Sequence, residues 1–217
     1  NSSFTLTVYV NPTPEITAMT AVICSGGTFV VSPVNGANGI VPNAISYRWG
    51  IPSITASLTG GASDTGKPQI SGTLLNTSNI TQTATYIVTP TGTTGGCDGS
   101  SFTVTVTVNP GGYINEMSTT VCSGYPFSVT PTDGINGVVP DNTLYSWSAP
   151  TYSGSLSGGV SNANQSNIFG LLTNSSISVQ TAVYIVAPLI QNCGVGTTFT
   201  LTVHVRPTPQ ISAMSTV

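Results

Sequence analysis

Phe102-Thr-Val-Thr-Val-Thr-Val108 alternates apolar side chains with threonine without a break. A period of two is the signature of a strand with one buried face. This reading sends Phe102, Val104, Val106 and Val108 to a core and turns the threonines to water, where β-branching suits the pleat. The segment has two further copies, Phe4-Thr-Leu-Thr-Val-Tyr-Val10 and Phe199-Thr-Leu-Thr-Val-His-Val205. Each copy runs into proline, at Asn11-Pro12, Asn109-Pro110 and Arg206-Pro207. Proline has no N–H to give a ladder, so it ends the strand. These prolines mark domain boundaries.

Outward from that strand, most of the chain is said twice. Cys24 answers to Cys122, Trp49 to Trp147 and Tyr86 to Tyr184, each 98 positions on, while Phe102 answers to Phe199 and Cys97 to Cys193. That period exceeds the roughly 20 to 50 residues of a solenoid unit. It is the size of a small domain with its own core. The expected organisation is residues 1–10 as the last strand of a preceding repeat, 11–109 as repeat one, 110–206 as repeat two, and 207–217 as the first strand of a following repeat. The chain would then be a segment of a longer array. Its short, proline-bearing linkers would hold successive domains in a semi-rigid rod.

Further strands are expected near 14–24, 28–33, 44–50, 54–58, 69–74 and 81–89, with a second set about 98 residues on. Asn35-Gly36, Asn38-Gly39, Gly60-Gly61, Thr91-Gly92 and Gly95-Gly96 supply the turns between them. No window carries a helical period with caps. Seven or so short strands per hundred residues is the arithmetic of an immunoglobulin-like sandwich. The fold class is therefore all-β, with tandem sandwiches in an extended array.

Composition narrows the function. Charged residues make up 4% of the chain, against about 25% in ordinary domains. With a net charge of −3 and no basic stripe, nothing favours nucleic acid or an anionic membrane. The chain is 39% apolar, so it folds, and serine, threonine and asparagine must wet its surface. Trypsin-like proteases find few sites. No transmembrane run or lipidation motif is visible, and direct membrane insertion is not expected. Any export signal would lie elsewhere. The four cysteines lack the clustering of a zinc site. One near the start and one near the end of each repeat suggests disulfides Cys24–Cys97 and Cys122–Cys193, each contributing about 4 kcal/mol by loop closure. The alternative is four free, buried thiols.

Candidate chemistry is sparse. His204 is the only histidine and stands where the other copies have Tyr9 and Thr107, on the solvent face of a strand, without a nucleophile or an orienting partner. Between the repeats Asp64 faces Asn162, Asp133 faces Asn35, Asp141 faces Asn43, Asp98 faces Gly194, Arg48 faces Ser146 and Lys67 faces Gln165. No charged site is common to both, and no paired carboxylates for glycoside hydrolysis emerge. The Asn-Gly loops at 34–39 and 132–137 invite calcium, which wants six to eight oxygens and usually several carboxylates. Turn chemistry accounts for them more simply. No catalytic residue, metal or cofactor is expected. Trp49, Trp147, Tyr86, Tyr184, Phe102 and Phe199 read as core, with each tryptophan packed against a disulfide at mid-sandwich. Tyr9, Tyr113, Tyr125, Tyr152 and Phe169 read as exposed, and Tyr125 and Tyr152 are the candidates for ligand contact.

The motifs follow one order: Val22–Gly26 (Val-Ile-Cys-Ser-Gly), Phe29–Pro33, Asn38–Pro42, Tyr47–Trp49, Thr59–Ser63, Ile70–Leu74, Gln82–Val88, Cys97 and Phe102–Pro110. That order resembles the PKD-like repeats of giant surface adhesins from gliding bacteria, of the SprB type. The resemblance covers essentially the whole chain and departs most around 152–170. It implies secretion through the type IX pathway, display on the cell surface and a part in gliding motility, and it transfers no catalytic residue. The expected role is a structural repeat in the stalk of an extracellular adhesin or filament. Its partners would be neighbouring repeats of the same chain, with surface polysaccharide or the gliding and secretion machinery as further candidates. The alternative is a carbohydrate-binding or spacer module of a secreted multidomain protein. An enzyme or enzyme accessory would need an attached catalytic domain, and none is visible.

Overall fold

Phe102–Asn109 lies inside its sheet because both of its edges find partners. It pairs antiparallel with Gln82–Gly92, setting Val104 opposite Tyr86. On the other side it pairs parallel with Met19–Cys24, setting Asn109 opposite Cys24. The sheet continues through Ile45–Trp49 to Asp64–Lys67, with the short Ser53–Ile54 strand also against Gln82–Gly92. A computed structural model describes residues 3–209, and every regular element among them is a strand.

Three strands, Thr28–Val31, Ile70–Asn76 and Leu58–Gly60, make the second sheet. The apolar alternates of both sheets meet in one cluster. Phe102, Val104, Val106 and Val108 come from the first sheet, and Phe29, Ile70 and Leu74 from the second. The Phe29 and Tyr86 rings bridge the layers at 5.2 Å between centroids. Repeat two is built alike. Met117–Cys122, Phe199–Arg206, Gln180–Ile190, Leu144–Trp147 and Asn162–Gln165 form one sheet, with Thr151–Tyr152 and Gly194–Val195 beside Gln180–Ile190. Pro126–Val129, Ile168–Asn174 and Leu156–Gly158 form the other. Its buried residues are a separate cluster around Phe127, Ile168, Leu172, Tyr184 and Leu201. The chain divides into two units, Asn1–Pro110 and Gly111–Val217. It is an all-β protein of tandem immunoglobulin-like domains.

Each unit closes one corner with a two-residue bridge, Glu15–Ile16 against Gly39–Ile40 in the first and Tyr113–Ile114 against Gly137–Val138 in the second. Gly39 has φ 106° there, and a Cβ on it would stand 2.1 Å from the Glu15 carbonyl oxygen. Gly137, at φ 114°, meets Tyr113 in the same way. Only glycine fits such an approach.

Several expected elements come out differently. Phe4–Val10 is not a strand: no described residue pairs with it, and Phe4 is 91% exposed where its copy Phe102 is 5% exposed. Alternation marks which face would be buried, but the ladder beside it makes the strand. The strand expected over 54–58 splits, because Ser53–Ile54 joins the first sheet and Leu58–Gly60 the second. Gln82–Gly92 runs past the expected end at 89, since Pro90 needs no donor where the Gly99 N–H bonds to its carbonyl. Asp64–Lys67 is an unforeseen edge strand, exposed at all four positions and so without a burial pattern. Residues 207–209 form no strand, and the rest of the strand expected over 207–217 lies outside the described residues.

Candidate functional site

The cysteines overturn the expected pairing. Cys97 and Cys122 are free thiols, whereas Cys24 and Cys193 are both disulfide-bonded. Topology explains why no bond closes within a repeat. Cys24 lies beside Asn109, at the end of the Phe102–Asn109 strand. Cys97 lies beyond the start of that strand, where its carbonyl accepts the Gly92 N–H. Seven steps of strand separate the two ends, about 23 Å, and a disulfide needs Cα atoms within roughly 7 Å. Repeat two copies the arrangement, with Cys122 opposite Arg206 and the Cys193 N–H on the Ile190 carbonyl, before Phe199. Even spacing along the sequence conceals that the two cysteines occupy opposite ends of a sandwich.

Those ends are distinct chemically. At the end where the chain enters repeat one, Gly99 packs against the Pro14 carbonyl and Gly95 against the Asn11 side chain. At the end where it leaves, the Ser25 N–H bonds to the Asn109 carbonyl. A buried asparagine secures this leaving end. Asn76 Nδ2 donates to the carbonyls of Ile80 and Val108 at 2.7 and 3.0 Å, and its Oδ1 accepts from Ser78 N–H and Oγ. Its own N–H donates to Ser25 Oγ at 2.9 Å. Asn174, Ser176, Ser178, Val205 and Ser123 reproduce this network in repeat two. Sequence reasoning missed it. The signal was there in the paired Asn-Thr-Ser and Asn-Ser-Ser runs at 76–78 and 174–176. Below Asn174 an open hollow of about 900 Å³ is lined by Ser123, Ser176, Ile177, Pro207 and Thr208.

Trp49, Trp147, Tyr86, Tyr184, Phe102 and Phe199 are buried in the two cores. No sulfur sits at mid-sandwich beside the tryptophans; the indoles of Trp49 and Trp147 donate to the carbonyls of Ala62 and Val160. Tyr86 and Tyr184 are fully buried, and neither hydroxyl has a partner among the protein atoms. Gly61 and Gly159 make room for them, since a Cβ there would stand 2.8 and 2.6 Å from the hydroxyl oxygens. Burial pushes the Tyr184 phenol up to about 12, with the nearby Tyr152 adding to the shift, and pushes Tyr145 up to about 12 as well. Tyr9, Tyr113, Tyr125, Tyr152 and Phe169 are exposed. Tyr125 stands in the turn after Cys122, whereas the Tyr152 hydroxyl is engaged, donating to the Gly158 carbonyl.

Among the described residues the ion pairs lie in repeat one. Arg48 grips Asp98 through two bonds, 2.9 and 2.7 Å, and Thr91 Oγ1 adds a third at 2.6 Å. The Arg48 guanidinium, seconded by the Thr91 hydroxyl, holds the Asp98 carboxyl down at about 2. An open hollow of about 520 Å³ lies alongside, lined by Arg48, Trp49, Asp64 and Ile87. With Ser146 and Gly194 in the matching places, repeat two has no counterpart. His204 sits between Thr120 and Thr181 on its sheet. In the Asn-Gly loops the side-chain oxygens already cap backbone donors: Asn38 Oδ1 accepts from Val34 and Asn35 Oδ1 from Val41. Asp133 does for Val139 what Asn35 does for Val41. Among the described residues no group of three His, Cys, Asp or Glu side chains is placed to hold a metal, and no helix is long and apolar enough to cross a membrane. Bonded cysteines on an immunoglobulin-like fold are consistent with an extracellular protein.

A family model described as PKD-like domain matches residues 21–112 and again 119–209. No curated protein sequence matches the chain. Among solved structures the likeness is weak. An endo-fucoidan hydrolase of glycoside hydrolase family 107 is 12% identical, with 93% of this chain and 30% of that one covered, at a TM-score of 0.29. The zebrafish RET cadherin-like domains 1 to 4 are 14% identical, covering 92% and 51%, at 0.29. A titin I-band fragment, I67–I69, is 9% identical, covering 88% and 62%, at 0.35. The chain thus spans about a third of the hydrolase and half of the RET fragment. Domains of the PKD-like, immunoglobulin type are generally non-catalytic.

Proposed function

The chain belongs to the PKD-like domain family, and from that premise we propose that it is a stalk segment of a large extracellular adhesin or filament. The observation that carries this reading is the duplication of a complete core. Tyr86, Trp49, Phe102 and Leu74 recur as Tyr184, Trp147, Phe199 and Leu172, while no charged side chain recurs. What is kept from repeat to repeat is the scaffold; what varies is the surface chemistry. A stalk needs the first and tolerates the second. A binding module repeated for avidity would keep its contact residues as well.

The order of motifs favours one setting for such a stalk, a surface adhesin of gliding bacteria carried out by type IX secretion. Its hydroxyl- and amide-rich surface suits persistence outside the cell. The test is an in-frame deletion of both repeats from the natural protein. Export and surface display should persist, with a shorter filament in electron micrographs. Unchanged length would refute the stalk. Retention of the isolated chain on surface polysaccharides would favour the carbohydrate-binding alternative, with the hollow beside Arg48 and Asp64 as its first candidate surface.

A further inference from the structure

We propose that Cys97 and Cys122 are covalent coupling points to further repeats of this kind, each forming a disulfide with the cysteine at the opposite end of a neighbouring repeat. The inference rests on the array reading above and adds chemistry to it. Each sandwich carries one sulfur where the chain enters, Cys97 or Cys193, and one where it leaves, Cys24 or Cys122. The strand between them keeps the two sulfurs of one repeat about 23 Å apart, so neither can serve the other. No repeat can therefore close a bond between its own two sulfurs.

The internal copies supply an independent observation. Cys24 is the counterpart of Cys122 and Cys193 of Cys97, and both counterparts are disulfide-bonded. One leaving-end and one entering-end sulfur are thus used, and one of each remains free. Position in the fold is the same for the used and the free sulfurs. Cys122 is exposed and Cys97 partly so, which lets an incoming sulfur reach them. Chain connectivity favours opposite ends: a chain that leaves a repeat beside one class of cysteine enters the next beside the other class within a few residues. Each coupling converts two thiols to one S–S bond with loss of two protons and two electrons. The electrons pass to a disulfide-bearing oxidant, which leaves as its dithiol.

Peptide mapping of the natural full-length protein, alkylated before digestion and never reduced, tests the proposal. Expected are no alkylated Cys97 or Cys122, a cross-link from Cys97 to a leaving-end cysteine in a Cys-Ser-Gly run, and one from Cys122 to an entering-end cysteine. Alkylated thiols at these positions would overturn it, as would a Cys24–Cys97, Cys122–Cys193 or Cys97–Cys122 cross-link. So would a natural protein in which no other repeat carries the pair. Free thiols in a protein that still forms filaments would remove the coupling and leave the stalk. Cross-links in a protein whose filament length ignores repeat deletion would do the reverse.

Discussion

At the scale of single residues, the buried tyrosines are the sharpest probes. A hydroxyl buried without a partner costs free energy, typically 1–3 kcal/mol. Tyr86→Phe and Tyr184→Phe should therefore leave stability unchanged or raise it by about 1 kcal/mol, read from urea unfolding. A loss of more than about 1 kcal/mol in either variant would mean that the hydroxyl is bonded after all. Titration gives a second probe. The folded-state values of Tyr145 and Tyr184, about 12, lie above the usual 10, so the folded form resists ionisation. Their contribution to stability is complete below about pH 10 and is lost as pH rises through 12. Asp98 works in the opposite sense. Its value, lowered to about 2, makes its contribution present above about pH 4 and lost as pH falls through 2. Tyr184→Phe should soften the alkaline limb of repeat two, and Asp98→Asn the acid limb of repeat one alone. An acid limb unchanged by Asp98→Asn would show the Arg48 pair to be screened away. The core aromatics were legible because they recur and sit at alternating positions. The Arg48–Asp98 pair was not, since fifty residues separate partners that only the folded sheet brings together.

Among the elements, the alternating strand makes a prediction of its own. Val106 is fully buried and faces the second sheet, whereas its neighbour Thr107 points outward. Val106→Thr keeps the shape and buries a hydroxyl, at a cost of about 1–3 kcal/mol. Thr107→Val should fall within about 0.5 kcal/mol of the parent protein. Equal effects of the two changes, measured by thermal melting, would mean that the strand's register is wrong. This register could be read from sequence because a period of two leaves only one assignment of faces. Strand existence was less legible. Phe4–Val10 has the same pattern as Phe102–Val108 but pairs with no strand among the described residues, and pattern alone carries no information about neighbours. Asp64–Lys67 is the converse, a strand held by Ile45–Trp49 with no apolar face to announce it. The ends of the sandwich were least legible. The spacing of the cysteines suggested closure within each repeat, and only the direction of the Phe102–Asn109 and Phe199–Arg206 strands rules it out.

For the whole molecule, two separate cores imply two separable stabilities. Leu74 and Leu172 are fully buried counterparts, one in each cluster. Leu172→Ala removes buried volume from repeat two only and should cost it about 2–5 kcal/mol. Calorimetry should show one transition displaced and the other kept, whereas a single displaced transition for the entire chain would mean one cooperative body. The same chain should be indifferent to salt. Its described ion pairs, Arg48–Asp98 and Lys67–Asp64, are about half exposed, and exposed pairs contribute roughly 0–1 kcal/mol before screening. Apolar burial and backbone bonding carry the stability, and neither rests on charges that added salt would screen. Scarce charge also limits proteolysis. Of the three basic residues, Lys67 and Arg206 each precede proline, whose ring and missing N–H spoil the bond for a trypsin-type protease. That leaves Arg48–Trp49, inside a paired strand and with its guanidinium held by Asp98. Native protein should survive prolonged trypsin treatment whole, and the reduced, unfolded chain should give one cut and two fragments. Cleavage of the native chain at Arg48 would mean that the Ile45–Trp49 strand opens readily, and a strand that opens at rest is a poor element for a stalk under load.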